Sequence, residues 1–388
     1  MPEPLRVLFV SAAGHLGGAE RSLYELLCAL PEDQIAPYAC VPPDGPLARM
    51  FSMAEVPVHT APLRRFRRTI HPFLMAGQVR ALINAVSTVR KLVETLKIQV
   101  IHANTDSAAL AAWEVSRETG VPFIWHCRDL RPLGPLAKML AYSSSKAVAI
   151  SKAVEEHLLA QGVQPAIVRR IENGIDRARF HPPEAIPAIR ETTRKMLNLN
   201  ADVPVITSIG AWVPWKRHEV FLETLAEVRK KLPEVTGLLI GSDLFQQNSS
   251  YVKLLLQRAE DLGLDRDCLK ILDEREDVPD LLAASDLLIS ASEKEPFGRV
   301  LVEAGASGVP VVAVNSGGKA EIIKDGETGL LIPPGDTHAL AQATLDLLKN
   351  RARREAMGAA ARTFVAEHFD VRRTAQELTD LCLEVTTN

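Results

Sequence analysis

The 388-residue chain lacks several features that would classify it quickly. No run of about 18 uncharged apolar residues occurs, so no membrane-spanning helix is predicted. The opening MPEPLRVLFVSAAG has acid and proline where a secretory leader carries basic charge, and a cytoplasmic protein is expected. Its five cysteines, Cys28, Cys40, Cys127, Cys268 and Cys382, are scattered, odd in number and free of Cys-x-x-Cys spacing. That pattern excludes a disulfide framework and a zinc site, and the thiols read as reduced, mostly packing residues. There is no His-Glu-x-x-His pair or other coherent ligand set, so no metal is expected. The Gly-x-Gly-x-x-Gly fingerprint is also absent, which counts against a nicotinamide cofactor. Low-complexity tracts and short repeats are missing too.

What is present is a globular composition, 47% hydrophobic and 24% charged. The length exceeds one ordinary core and suits two domains. The net charge of −3 hides an asymmetry: 21 Lys+Arg face 16 Asp+Glu through Arg179 (+5), and 24 face 32 in the remainder (−8). Between Met50 and Gln99 the acids are Glu55 and Glu94, against Arg64, Arg65, Arg67, Arg68, Arg80, Arg90, Lys91 and Lys97. This basic 64–97 region, interleaved with Phe66, Phe73 and Leu74, reads by default as a solvated face over core residues. The sharper alternative is a peripheral contact with anionic lipid at the inner membrane face. With a pI near 6.4 and no recognition motif, nucleic acid is not expected as a partner.

Short Val/Ile-rich runs alternate with longer amphipathic stretches nearly from end to end, a β-α-β-α pattern. LRVLFVSA, PYACVPP, IQVIHAN, VPFIWHC, KAVAIS and AIVRRIEN form a first series of candidate strands. VPVITSIGA, GLLIGSD, LKILDE, DLLISAS, VPVVAVNSGG and TGLLIPP form a second. Near-continuous apolar runs suit strands buried on both faces of parallel sheets. The expected fold class is therefore α/β, two Rossmann-like doubly wound domains facing across a cleft. The domains are expected at 1–180 and 201–370, joined by a proline-interrupted linker at 181–200; a helix over 371–388 is expected to cross back to the N-terminal domain.

Ligands of open parallel sheets bind beyond the carboxyl ends of the strands. SAAGHLGGAE follows the first strand there, with Gly14, Gly17 and Gly18 before a helix; an anion-approach loop and a plain turn both remain open. EKEPFGRVLVEA is more specific. Glu295 falls in the exit loop of DLLISAS, and Gly298 lets the chain turn so that the N–H groups of Arg299, Val300 and Leu301 face phosphate oxygens. Glu303 lies about one turn into the helix, where ribose hydroxyls would satisfy it; the alternative is an ion pair with a neighbouring base. His102, at a strand end, reads equally as a structural or an acceptor-contacting histidine. Asp265 to Asp267 form an Asp-Arg-Asp run in a polar turn and read as solvated.

The run SASEKEPFGRVLVEAGASGVPVVAVNSGGKAEIIKDGETGLLIPPGD resembles the signature of the family-four retaining nucleotide-sugar glycosyltransferases, which have the GT-B fold. The Glu, seven residues, Glu spacing, the Phe-Gly after the first acid and DGETGLLIPPGD carry the likeness. GGAERSL, VIHANT, FIWHCRDL, AISKAV, IENGIDRARF and SIGAWVPWKRHEVFLETL extend it over most of the chain. The resemblance implies that Glu295 binds donor sugar hydroxyls, Glu303 the ribose, and the backbone from Phe297 through Gly298, Arg299 and Val300 to Leu301 the diphosphate. It implies that Lys216 neutralises the departing diphosphate, that Gly17 and Gly18 close on donor or acceptor, that His126 sits by the anomeric centre and that Arg275 contacts the base. No cofactor is implied beyond a nucleotide-sugar co-substrate, UDP-linked, and the acceptor is left open between lipid-linked, polysaccharide and small-molecule types.

One position departs from the pattern. Gly210-Ala211 stands where the family usually has Gly-Arg, removing a cation expected at the diphosphate; Arg128, Arg131 and Arg217 are the candidate substitutes. The implied activity is a metal-independent hexosyl transfer with retention. Two alternatives stand beside it: a nucleotide-sugar epimerase of the same architecture, and a donor-binding protein with impaired transfer.

Overall fold

The computed structural model describes residues 3–13, 15–43, 45–65, 71–244 and 247–387. Gly14, Phe66, Arg67 and Arg68, singled out above, lie outside them. The chain divides into two compact units, Met1–Gly174 with Val371–Asn388, and Ile175–Asp370.

The first unit is built on β1 (Leu5–Val10), β2 (Ile35–Val41), β3 (Val58–Thr60), β4 (Val100–Ala103), β5 (Phe123–Cys127), β6 (Lys146–Ala149) and β7 (Val168–Arg170). All pairings are parallel, in the order β3-β2-β1-β4-β5-β6-β7. The apolar runs form these strands because both sheet faces are covered: Val7, Leu8, Phe9 and Val10 are all buried. β3, a three-residue edge strand, has too few apolar residues to have been read from the sequence.

The second unit uses the six expected runs as β8 (Val205–Ile209), β9 (Thr236–Ile240), β10 (Leu269–Leu272), β11 (Leu287–Ser290), β12 (Val311–Val314) and β13 (Gly329–Ile332). They are again parallel, in the order β10-β9-β8-β11-β12-β13. Strand order reverses between β1 and β4 in one unit and between β8 and β11 in the other. At such switch points the two neighbouring exit loops diverge and leave room for a ligand.

The expected linker differs from the sequence expectation, and the C-terminal helix falls where it was expected. Residues 181–200 contain the helix Ile186–Met196, which belongs to the second unit. Arg194 is buried and donates to Asp286 at 2.9 Å and to the Ala284 carbonyl at 3.0 Å; Arg190 reaches the other Asp286 oxygen at 2.8 Å. A charged, proline-flanked stretch looked like a linker, but its arginines anchor it to the end of the helix preceding β11. The C-terminal helix Val371–Thr387 packs Leu378, Leu381, Cys382 and Val385 among Leu5, Val7 and Leu23 of the first unit. Thr374 Oγ1 donates to the Glu172 carbonyl at 2.9 Å, and Glu384 pairs with Lys146 and Arg169, each at 2.9 Å.

Candidate functional site

At the switch point of the second unit, the segment after β8 ends in a 3-10 turn, Pro214–Lys216, and Arg217 in the left-handed region (φ 56°) starts the helix His218–Arg229. The segment after β11 runs from Ala291 to Gly298. The Glu293 N–H donates to the Trp215 carbonyl at 2.8 Å and ties the two together. Lys216 Nζ then meets Glu295 Oε2 at 2.7 Å, and Ser292 Oγ donates to the same oxygen at 2.8 Å. Glu295 is 6% exposed. Burial alone pushes its carboxyl up, but the Lys216 charge and hydrogen bond, with Lys319 and Ser292, outweigh that and hold it below the usual carboxylate value. It is therefore an ionised acceptor at neutral pH. Both donors use Oε2; Oε1 has no hydrogen bond among the described residues.

Pro296 and Phe297 lead into Gly298 (φ 109°), a conformation a side chain would strain and where a Cβ would lie 2.8 Å from Leu301. Phe297 is buried with its ring edge-on to Phe369 at 5.8 Å, so its side chain is packing and only its backbone is available. The helix Arg299–Ala306 follows. Its first N–H groups have no partner inside the helix and, with the positive end of the helix dipole, suit an anion. Leu301 differs in that its N–H donates to the Gly298 carbonyl at 2.8 Å. Glu303 is buried and accepts from Arg299 Nε at 2.8 Å. The pair joins residues one turn apart in the same helix.

A third segment joins these two. Gly317 (φ 61°) presses on the Glu295 backbone so closely that a Cβ would sit 2.0 Å from the Glu295 carbonyl oxygen, and the Gly318 N–H donates to that carbonyl at 2.9 Å. Ser316 Oγ and Lys319 Nζ both donate to the Ser292 carbonyl, at 2.8 and 2.7 Å. Arg275 follows the edge strand β10, beyond β9 from the switch point, and its guanidinium is held by Asp277 at 2.7 Å.

In the first unit, Gly17 precedes the helix Gly18–Cys28 and its N–H donates to Glu20 Oε2 at 3.0 Å; burial raises the Glu20 pKa. His126 lies in β5, 1% exposed, with Nδ1 2.9 Å from His102 Nε2. Burial, then the Arg128 charge, lowers both imidazoles, His102 to about 3 and His126 well below its ordinary value. Both rings are therefore neutral, and one shared proton fixes their tautomers. Arg128 donates to Asn104 at 2.7 Å, Asn173 at 2.7 Å and Ser22 at 3.3 Å, linking the exits of β4 and β5 to the first helix. Among the described residues no group of three His, Cys, Asp or Glu side chains is placed to hold a metal.

The glycosyltransferases group 1 family model matches residues 189–364, and that of Glycosyltransferase Family 4 matches residues 16–179. The chain belongs to the family-4, group 1 glycosyltransferases. This glycosyltransferase chain superimposes on the crystal structure of Anabaena Alr3699/HepE in complex with UDP and glucose with a TM-score of 0.83, at 26% identity over 97% of this chain and 99% of that one. It is 30% identical over 224 residues to the GDP-mannose-dependent alpha-(1-6)-phosphatidylinositol monomannoside mannosyltransferase of Mycolicibacterium smegmatis, covering 56% of each. It is 31% identical over 234 residues to the D-inositol 3-phosphate glycosyltransferase of Rhodococcus opacus, covering 58% of this chain and 50% of that one. The chain spans between a half and two-thirds of the length of the curated relatives it matches first. Its two parallel α/β units have the GT-B fold.

Within this glycosyltransferase the structure gathers Lys216, Glu295, Phe297, Gly298, Arg299, Val300, Leu301 and Glu303 at one switch point. It sets Arg275 apart from them and places His126, Gly17 and Gly18 in the other unit. Each proposed substitute for the arginine missing at Ala211 is already engaged: Arg128 with Asn104 and Asn173, Arg131 with Asp129 at 2.6 Å, and Arg217 with Glu219 at 2.9 Å. Sequence reasoning missed Ser292, Ser316 and Lys319. Their signal was faint, one serine before EKEPFG and a serine and a lysine flanking the paired glycines of NSGGK.

Proposed function

We propose that the protein transfers a hexosyl group from a UDP-sugar to a hydroxyl acceptor, with retention of configuration and without a metal ion. The observation that carries this reading is the Lys216–Glu295 pair at the switch point, 2.7 Å apart beside the start of the helix Arg299–Ala306. Negative charge grows on the leaving diphosphate as the glycosidic bond breaks, and a fixed ammonium with helix N–H groups stabilises it more in the transition state than before. Glu295, ionised and paired, cannot serve as a proton donor; its free Oε1 accepts from donor sugar hydroxyls. Glu303, held by Arg299, turns toward the ribose. With no carboxylate assigned as nucleophile, the acceptor attacks on the face the diphosphate leaves, and a diphosphate oxygen takes the acceptor proton.

The UDP reading is supported by the similarity to a protein whose crystal structure contains UDP and glucose; a GDP donor is the competitor, since one relative is GDP-mannose-dependent. For the acceptor, a lipid-linked alcohol met at an anionic surface fits best. The helix Pro72–Leu96 exposes Phe73, Leu74, Val79 and Ile83 beside Arg80, Arg90 and Lys91, and no acid occurs between Glu55 and Glu94. No helix among the described residues is long and apolar enough to cross a membrane, so this contact is peripheral. The test is a thermal-shift screen of UDP- and GDP-sugars, followed by transfer assays with and without chelator and assignment of the product anomer. Isomerisation of a donor sugar without any acceptor would instead favour an epimerase.

A further inference from the structure

The donor site is one cation short in sequence, and the candidate replacement arginines have other partners. The structure supplies a cation that the sequence did not advertise. Lys319 opens the short helix Lys319–Ile322 and is 0% exposed. Its Nζ donates to the carbonyls of Ser292 at 2.7 Å, Val314 at 3.0 Å and Ser290 at 3.2 Å. An ammonium has three protons, and all three are used. Two of the carbonyls lie where β11 ends and one where β12 ends, so a single buried group pins both strand exits beneath the Glu295 loop.

We propose that Lys319 is a positioning residue of the donor site: it fixes the β11 exit that presents Ser292 and Glu295, and it supplies the second positive charge that Ala211 does not. This rests on the reading above that the site takes a nucleotide diphosphate. Without Lys319, Lys216 is largely neutralised by Glu295 and little net positive charge faces the phosphates. With it, two ammonium groups share one buried carboxylate.

The arrangement is responsive to pH. Burial lowers the Lys319 pKa to about 7, Glu295 draws it back up, Lys216 pushes it down and Glu293 raises it slightly. These are the charged groups facing it from the segments after β8 and β11. A diphosphate anion placed nearby favours the ammonium, so donor binding above about pH 7 takes up a proton, and affinity falls as pH rises through that value.

The experiment is calorimetric titration of the full chain with UDP-glucose and GDP-mannose, whose diphosphate diesters do not titrate near neutrality. It is run between about pH 6 and 9 in buffers of differing ionisation enthalpy. The wild type should show proton uptake and weakening affinity with rising pH. Lys319→Met should weaken binding about tenfold at the acid end and abolish the uptake. Adding Ala211→Arg to Lys319→Met should restore affinity in a pH-independent way, which a purely structural role for Lys319 would not allow. Should Lys319→Met fail to fold, Lys319→Gln removes the charge while keeping two donors. Absence of proton uptake by the wild type overturns the proposal without any variant, as does unchanged affinity in a folded variant. If neither nucleotide sugar binds the wild type, the donor reading itself fails and this inference with it.

Discussion

The two units carry the same strand order at their switch points yet fill them with opposite chemistry. Between β1 and β4 the first unit places a cation, Arg128, among neutral acceptors: Asn104, Asn173 and Ser22. Two neutral histidines lie beside it. Between β8 and β11 the second unit places a carboxylate between two ammonium groups and leaves one of its oxygens free. A guanidinium that ties Asn104, Asn173 and Ser22 together organises a scaffold, whereas an ion pair with a spare carboxylate oxygen beside a helix N-terminus can still bind something. The fold alone does not separate these roles; the charges gathered at each switch point do.

The largest effect expected from breaking this contrast is on turnover. Lys216→Ala should lower kcat by roughly a hundredfold or more with the protein still folded, because it removes charge stabilisation aimed at the leaving group. Steady-state kinetics beside circular dichroism checks this. Glu295→Ala should also lower kcat steeply, and Glu295→Gln should recover little because the amide cannot balance Lys216. Glu303→Ala should instead act mainly on donor KM, and equal loss of kcat in both variants would erase the distinction. In the first unit Arg128→Ala should cost stability, roughly 2 kcal/mol, by leaving the buried Asn104 Oδ1 without its donor and Asn173 Oδ1 with Ser22 alone. Differential scanning calorimetry should show that loss with donor affinity unchanged.

Smaller effects sharpen the comparison. Folding disfavours charged Lys319, whose pKa falls from 10.5 to about 7. The unfolded chain thus binds more protons between those values, and this residue's contribution makes stability rise with pH there. Denaturant unfolding across that window should show a shallower rise in Lys319→Met. Smallest of all, Phe73→Ser with Ile83→Ser should leave soluble donor binding untouched while reducing sedimentation with anionic vesicles at low salt. No association by the wild type would remove the lipid-surface reading.

Much of this was legible in the sequence for a simple reason. Parallel strands buried on both faces need continuous apolar runs, so VPVITSIGA and DLLISAS announced β8 and β11 from local composition. EKEPFG showed its acid because a Pro-Phe-Gly turn before an apolar helix is itself a local pattern. Distant pairings were not legible. Arg190 and Arg194 looked like linker charges until Asp286, about ninety residues away, accepted both. Lys319 drew no notice until Ser290, Ser292 and Val314 accepted its three protons.

The sequence by itself determined the two parallel sheets, the glycine at 298 that only a left-handed turn requires, and the presence of Lys216, Glu295 and Glu303 on the exit side of their strands. Those are consequences of periodicity and backbone conformation, which act over a few residues. The tertiary structure decided which charges meet. It set Lys216 on Glu295 and Lys319 on three carbonyls, because charge pairing in a buried site depends on which loops are adjacent in space, and strand order rather than sequence distance fixes that.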